Sequence, residues 1–186
     1  MKKSIIAAGA ASVALAAMPI VGVFASSSTT VSDTITATVS NGCTITRAGT
    51  GSTVDRSVAI SVATGASQTG DSDAINISCN VGSWTVAAAG TGAGTTSLQT
   101  SDGTKSIATG HTFSGGTSEW GMMVTATGGT VATNYNDYYD VPSSTTVVTG
   151  SATSGTVTPS YKVYASGTQD TGVYTGEVTY TIAVTD

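Results

Sequence analysis

Polar and apolar positions alternate along much of this chain, and the repeat is two residues. In AINISCNV, Ile75, Ile77, Cys79 and Val81 fall on one face, with Asn76, Ser78 and Asn80 on the other. In SWTVAAA, Trp84 and Val86 share a face and Thr85 lies on the reverse. Period two is the signature of a half-buried strand. Between Val81 and Trp84 the inward set changes from odd to even numbers. One continuous strand cannot do that, so Gly82-Ser83 is expected to form a bulge or a sharp turn.

The same reading places strands over Thr30–Val39 (Val31, Ile35 and Val39 together) and Ser57–Ala63 (Val58, Ile60, Val62). It continues through Glu119–Ala126 (Trp120, Met122, Val124) and Tyr161–Ala165 (Tyr161, Val163). The last strand is the cleanest: Val178, Tyr180, Ile182 and Val184 alternate with Thr179, Thr181, Ala183 and Thr185. No sustained helical period occurs after the N-terminal stretch. About eight short strands separated by Gly/Ser/Thr turns predict an all-β fold, an antiparallel Ig-like β-sandwich. Composition agrees, since the chain holds 36 threonines and 23 glycines. Threonine favours strands and glycine punctuates them. Large hydrophobic residues are few, so Trp84, Trp120 and the strand tyrosines must supply much of the core.

The chain opens with Lys2 and Lys3, an uncharged apolar run from Ile5 to Phe24, and small residues around Ala25. This three-part layout predicts a secretory signal peptide over residues 1–25. The run would be long enough for a membrane anchor, but Gly9, Pro19 and Gly22 interrupt it and a cleavage-type site ends it. The expected mature protein is Ser26–Asp186, one domain outside the cell or at its surface. No later apolar stretch approaches membrane length, so no span is expected after cleavage. No C-terminal sorting signal is expected either. Cleavage would leave four basic and eleven acidic residues, a formal charge of −7. That balance argues against nucleic acid as a partner. Cys43 and Cys79 are the only cysteines. An even count in an exported chain predicts one disulfide.

Two resemblances follow from these residues. Trp84-Thr85-Val86, with Tyr180-Thr181-Ile182 after Tyr174-Thr175-Gly176, resembles the paired motifs of the WxL domains of bacterial cell-surface proteins. Here Val86 and Ile182 stand where that family has Leu, and Tyr180 stands for the second Trp. The resemblance implies non-covalent attachment to the peptidoglycan wall. ITATVSNGCTIT followed by INISC is similar to the spore-coat-U and fimbrial-pilin sandwiches. That likeness implies a subunit whose N-terminal segment, here Thr30–Val39, completes a neighbour's sheet. Asp33 interrupts the apolar face of the segment. The chain is also similar to secreted β-proteins of small-genome bacteria with no assigned activity.

Chemistry-bearing residues are sparse. His111 is the only histidine, and without a partner nearby in sequence it reads as a solvated loop residue. Glu119 and Glu177 alternate with apolar neighbours and are expected to face solvent. Asp71-Ser72-Asp73 reads as a polar turn before AINISCNV. Asn76-Ile77-Ser78 is formally a glycosylation sequon, discounted beside a disulfide cysteine in a chain with a bacterial leader. Exported proteins often hold calcium at weak loop sites, the lesser expectation for Asp71–Asp73 and Asn136–Asp140; neither matches an EF-hand loop, and no metal and no cofactor are expected.

NYNDYYD is the exception. It holds three of the seven tyrosines in a chain that is 6% aromatic. Pro142 follows it, so the segment is not mid-sheet. Tyr135, Asn136, Asp137, Tyr138, Tyr139 and Asp140 form the candidate binding loop, because loop tyrosines bind protein or sugar at low entropic cost. The competing expectation is that the tyrosines fold inward and cap the sandwich. Together these readings give a non-enzymatic, exported cell-surface protein with a structural or adhesive role. Its expected partners are peptidoglycan, a surface protein, a glycan, or further copies of itself.

Overall fold

A computed structural model describes residues 42–47, 58–80, 82–92 and 94–184. The predicted signal peptide, the Thr30–Val39 segment and Val81 lie outside them. Twelve strands occur among the described residues: β1 Cys43–Arg47, β2 Ala66–Asp71, β3 Ile75–Cys79, β4 Trp84–Gly90, β5 Leu98–Gln99, β6 Ser106–Thr109, β7 Glu119–Thr127, β8 Gly129–Val131, β9 Tyr139–Asp140, β10 Thr145–Gly150, β11 Ser154–Ala165 and β12 Val178–Val184. One 3-10 turn, η1, spans Thr133–Asn136.

The strands form two sheets. The larger runs β1-β3-β11-β7-β6-β5, with β2 also on β11 and β9 also on β7. The smaller runs β12-β4-β10-β8. The all-β expectation therefore holds, with two corrections. The strands outnumber the eight expected, because pieces as short as Leu98–Gln99 and Tyr139–Asp140 carry no readable alternation. The larger sheet is also mixed: β6 runs parallel to β7, pairing Ala108 with Glu119 and Thr109 with Trp120.

The parity change at Gly82-Ser83 is a change of sheet. β3 belongs to the larger sheet and β4 to the smaller. Ile75 and Ile77 point into the core from one side, and Trp84, Val86 and Ala88 from the other. Trp120, Met122 and Val124 of β7 are buried with them, as the alternation predicts, together with Val157 and Val163 of β11. The predicted Ser57–Ala63 strand is different. Residues 58–63 form no ladder, although Val58 and Ile60 occupy the space a Cβ on Gly70 of β2 would take.

Two buried tryptophans anchor the core. Trp84 is fully enclosed and donates its indole N–H to the Ala152 carbonyl at 2.7 Å. Trp120 donates to the Thr96 carbonyl at 2.8 Å. Buried indoles need such acceptors. Gly129, Gly150 and Gly155 line the Trp84 ring, and a Cβ on Gly155 would lie 2.7 Å from it.

β11 spans twelve residues and contains Pro159, an unusual mid-sheet position. The ladder explains it. β11 pairs with β3 as far as Val157 and with β2 from Ser160 onward. The missing N–H of Pro159 falls at the gap between these partners, while its carbonyl accepts from Ser72 N–H at 2.9 Å.

Cys43 and Cys79 are bonded and stand directly opposite each other on β1 and β3, with Cα atoms 4.1 Å apart. Cys79 N–H points away from β1, to the Thr153 carbonyl. The two cysteines therefore form a non-hydrogen-bonded pair, the position where opposed side chains stand closest.

Candidate functional site

A parallel pair of strands adjacent in sequence needs a crossover. Between β6 and β7 that crossover is residues 110–118. On β7 the even-numbered residues face the core, so Glu119 and Gly121 face outward. The crossover is fixed to this outer face at three points. The Glu119 carboxylate accepts from Thr112 hydroxyl and Phe113 N–H. The Phe113 ring lies over Gly121, where a Cβ would come within 2.8 Å of it. Tyr164, on the outward face of β11, donates its hydroxyl to the Gly115 carbonyl at 2.6 Å. Phe113 takes a left-handed backbone conformation (φ 49°), a costly one for an aromatic residue.

Glu119 is thus a half-buried anchor and not the solvent-facing residue the alternation implies. Glu177 is exposed, just ahead of β12. Asp71 ends β2, and residues 72–74 form the expected connection to β3.

The crossover runs beside β9 and the residues before it. His111 stacks on Tyr139, centroids 4.7 Å apart and planes 16° apart. Its Nδ1 lies 2.8 Å from Asp140 Oδ1. The carboxylate accepts, so Nδ1 carries the hydrogen and Nε2 is the free acceptor of the neutral ring. Two residues on, Phe113 meets Tyr138 edge to face at 5.9 Å. Lys162 Nζ sits 4.8 Å from the Phe113 centroid and 5.5 Å from that of Tyr138. The Tyr138 hydroxyl is 2.8 Å from Ser160 Oγ, which donates to Asp71.

The candidate loop therefore divides. Tyr135, in η1, is buried and meets Tyr139 edge to face at 6.0 Å. Burial raises its phenol pKa above the ordinary range, helped by the negative charge of Asp140 and by Tyr139. Asn136 and Asp137 are exposed, and Asp137 accepts from Tyr138 N–H. Tyr138, Tyr139 and Asp140 are half-buried and form a ledge with His111 and Phe113. Sequence reading did not find His111, Phe113 or Lys162 as neighbours of this loop. The link is tertiary: His111 and Asp140 are 29 positions apart.

The other predicted positions are structural. Trp84 and Val86 are buried on β4. Tyr180 and Ile182 are half-buried on β12, opposite Ala88 and Val86. Trp120 stacks near Tyr161 at 6.3 Å, and the Tyr161 and Tyr180 hydroxyls are 2.9 Å apart. Among the described residues no three His, Cys, Asp or Glu side chains group as metal ligands. No helix among them is long and apolar enough to cross a membrane.

The described residues define a two-sheet, all-β, disulfide-bonded protein with a polar–aromatic ledge on its larger sheet. Set against protein-family models, curated proteins and solved structures, the chain matches none.

Proposed function

We propose that this is an exported bacterial cell-surface protein with a structural or adhesive, non-enzymatic role, held non-covalently at the wall through the His111–Asp140 ledge. One observation carries the reading: a crossover clamped at Glu119, Gly121 and Tyr164 brings His111 and Phe113 against Tyr138, Tyr139 and Asp140 on the outside of the sheet. The tryptophan of the WxL-like motif is enclosed. Contact with a wall polymer therefore falls to side chains elsewhere, and the ledge supplies a rigid set. The test is sedimentation with purified peptidoglycan. Wild type should pellet and a His111→Ala/Tyr138→Ser variant should stay in solution. Equal behaviour of the two would defeat the role given to the ledge.

A second reading, a self-assembling coat or pilus-like subunit, draws on a different feature. β12 is an edge strand of seven residues without a charge, and its apolar row is only half covered. Such an edge can accept an added strand, and Thr30–Val39 is the proposed donor. Deleting that segment should abolish SDS-resistant ladders. Monomers before and after deletion would count against this reading.

A further inference from the structure

We propose that the ledge binds the pyranose ring of a neutral glycan, stacked on His111 and hydrogen-bonded between His111 Nε2 and Asp140. The inference deepens the adhesive reading and rests on it for the site.

The His111 ring is held by two neighbours. Tyr139 covers one face at 4.7 Å and Asp140 fixes Nδ1 at 2.8 Å. The side chain is nonetheless 49% exposed, and the opposite face and the Nε2 edge are the parts that neither Tyr139 nor Asp140 takes up. What is offered is a flat ring face, an in-plane acceptor and, next to it, a carboxylate that is itself 41% exposed. A pyranose presents the complement: a face of C–H bonds and, at its edge, neighbouring hydroxyls that donate and accept. Because the imidazole is already oriented, binding costs little further ordering.

Charge selects among sugars. Among the described residues Asp71, Glu119, Asp137 and Asp140 stand around the ledge beside Lys162, whose ammonium is engaged with Phe113 and Tyr138. The chain as a whole carries −5. A polyanionic glycan would be repelled. A protein partner fits less well. Stable protein interfaces take roughly 800 Å² from each side around an apolar centre. Among the described residues only Ile45 and Val173 are large exposed hydrophobics, and neither belongs to the ledge.

Saturation-transfer NMR on the full chain tests this, with chitotetraose, cellotetraose and maltotetraose as neutral probes. Tetragalacturonate and an unrelated peptide serve as comparisons. At least one neutral sugar should show saturation on its ring C–H protons. His111→Ala and Asp140→Asn, with near-UV circular dichroism unchanged, should each weaken binding about tenfold, the loss expected for one well-placed hydrogen bond. If either variant alters that spectrum, perturbation of the His111 ring resonances of the wild type on titration decides instead. Absence of saturation from every neutral sugar overturns the proposal. So does saturation that both variants preserve, or a preference for the acidic sugar or the peptide. Wall sedimentation separates the two readings. Protein that pellets with peptidoglycan but binds no neutral sugar overturns the glycan assignment alone. Protein that binds sugar but ignores walls overturns the wall reading and leaves the glycan site standing.

Discussion

Gly150 lies against the indole of Trp84, directly opposite it in the β4–β10 ladder, and a Cβ on Gly150 would come within 1.9 Å of the ring atoms. The glycine is needed here for space, because its backbone φ is ordinary and only sterics forbid a side chain. Trp84 is enclosed on every side and cannot move aside. Gly150→Ala should therefore destabilise by about 1–3 kcal/mol through overpacking. Chemical denaturation followed by tryptophan fluorescence measures it. An unchanged midpoint would show that the slot is looser than the geometry implies.

The Cys43–Cys79 bond closes a loop of 36 positions. In the chain-entropy account such a link stabilises by about 4 kcal/mol. A Cys43→Ser/Cys79→Ser variant should lose a comparable amount in urea titration. Thiol labelling of denatured, unreduced wild type should detect no free cysteine.

The tyrosines of the candidate loop should separate by burial. Tyr135→Ser empties a buried aromatic position and should cost about 3 kcal/mol or more. Tyr138→Phe removes only the hydroxyl bonded to Ser160 and should cost about 1 kcal/mol. Similar thermal shifts for both would contradict the division of the loop.

Two groups titrate away from their ordinary values in the folded protein. The Asp102 pKa is lowered to about 2 by the Thr100 hydroxyl, then by Thr104 N–H and hydroxyl. A lowered carboxylate pKa gives stability that is complete above the unfolded value of 3.8 and lost as pH falls through about 2. Tyr135 works at the other extreme. Its raised pKa gives stability that is complete below the unfolded tyrosine value and lost as pH rises through the folded one. Carboxyl-resolved NMR should place the Asp102 midpoint near 2, and ultraviolet titration should show one tyrosine ionising late. An Asp102 midpoint near 4 would show that the Thr100 and Thr104 hydrogen bonds do not hold the carboxylate in solution.

Gly121→Ala should disturb the ledge more than the core. Its Cβ would collide with the Phe113 ring and with the carbonyls of Gly110 and Tyr139. The crossover should lift, with the His111 ring resonances shifting. Tryptophan fluorescence should change little, because Trp84 and Trp120 point to the other face. Unmoved His111 resonances would mean the crossover is held without the Gly121 slot.

What the sequence made legible follows the strength of the local signal. The β3, β4, β7 and β12 strands alternate over five or more residues, and their inward sets were readable at Ile75, Trp84, Met122 and Tyr180. The parity break at Gly82-Ser83 was visible, but not that it moves the chain to the second sheet, because alternation records a face and not the sheet that owns it. Residues 58–63 alternate and yet join no strand among the described residues, since apolar spacing does not supply a ladder partner. The ledge was half legible. Three clustered tyrosines marked it, while His111, Phe113 and Lys162 reach it only through a crossover that no local pattern encodes.

The placement of the disulfide has a mechanical consequence. Cys43 is the first residue of β1, so a pull arriving from the N-terminal side, once past the Gly42–Asn80 hydrogen bonds, loads a covalent bond to β3 before it strains the pairs from Thr44 to Arg47. At the other end, the ladder partner of β12 among the described strands is β4, in a ladder that finishes at Val184 opposite Trp84, with a hydroxyl contact from Tyr180 to Tyr161 of β11 beside it. Tension from that side peels the ladder open one rung at a time. Tethered by its two ends, the protein would yield first at β12 and leave the disulfide-bound sheet intact.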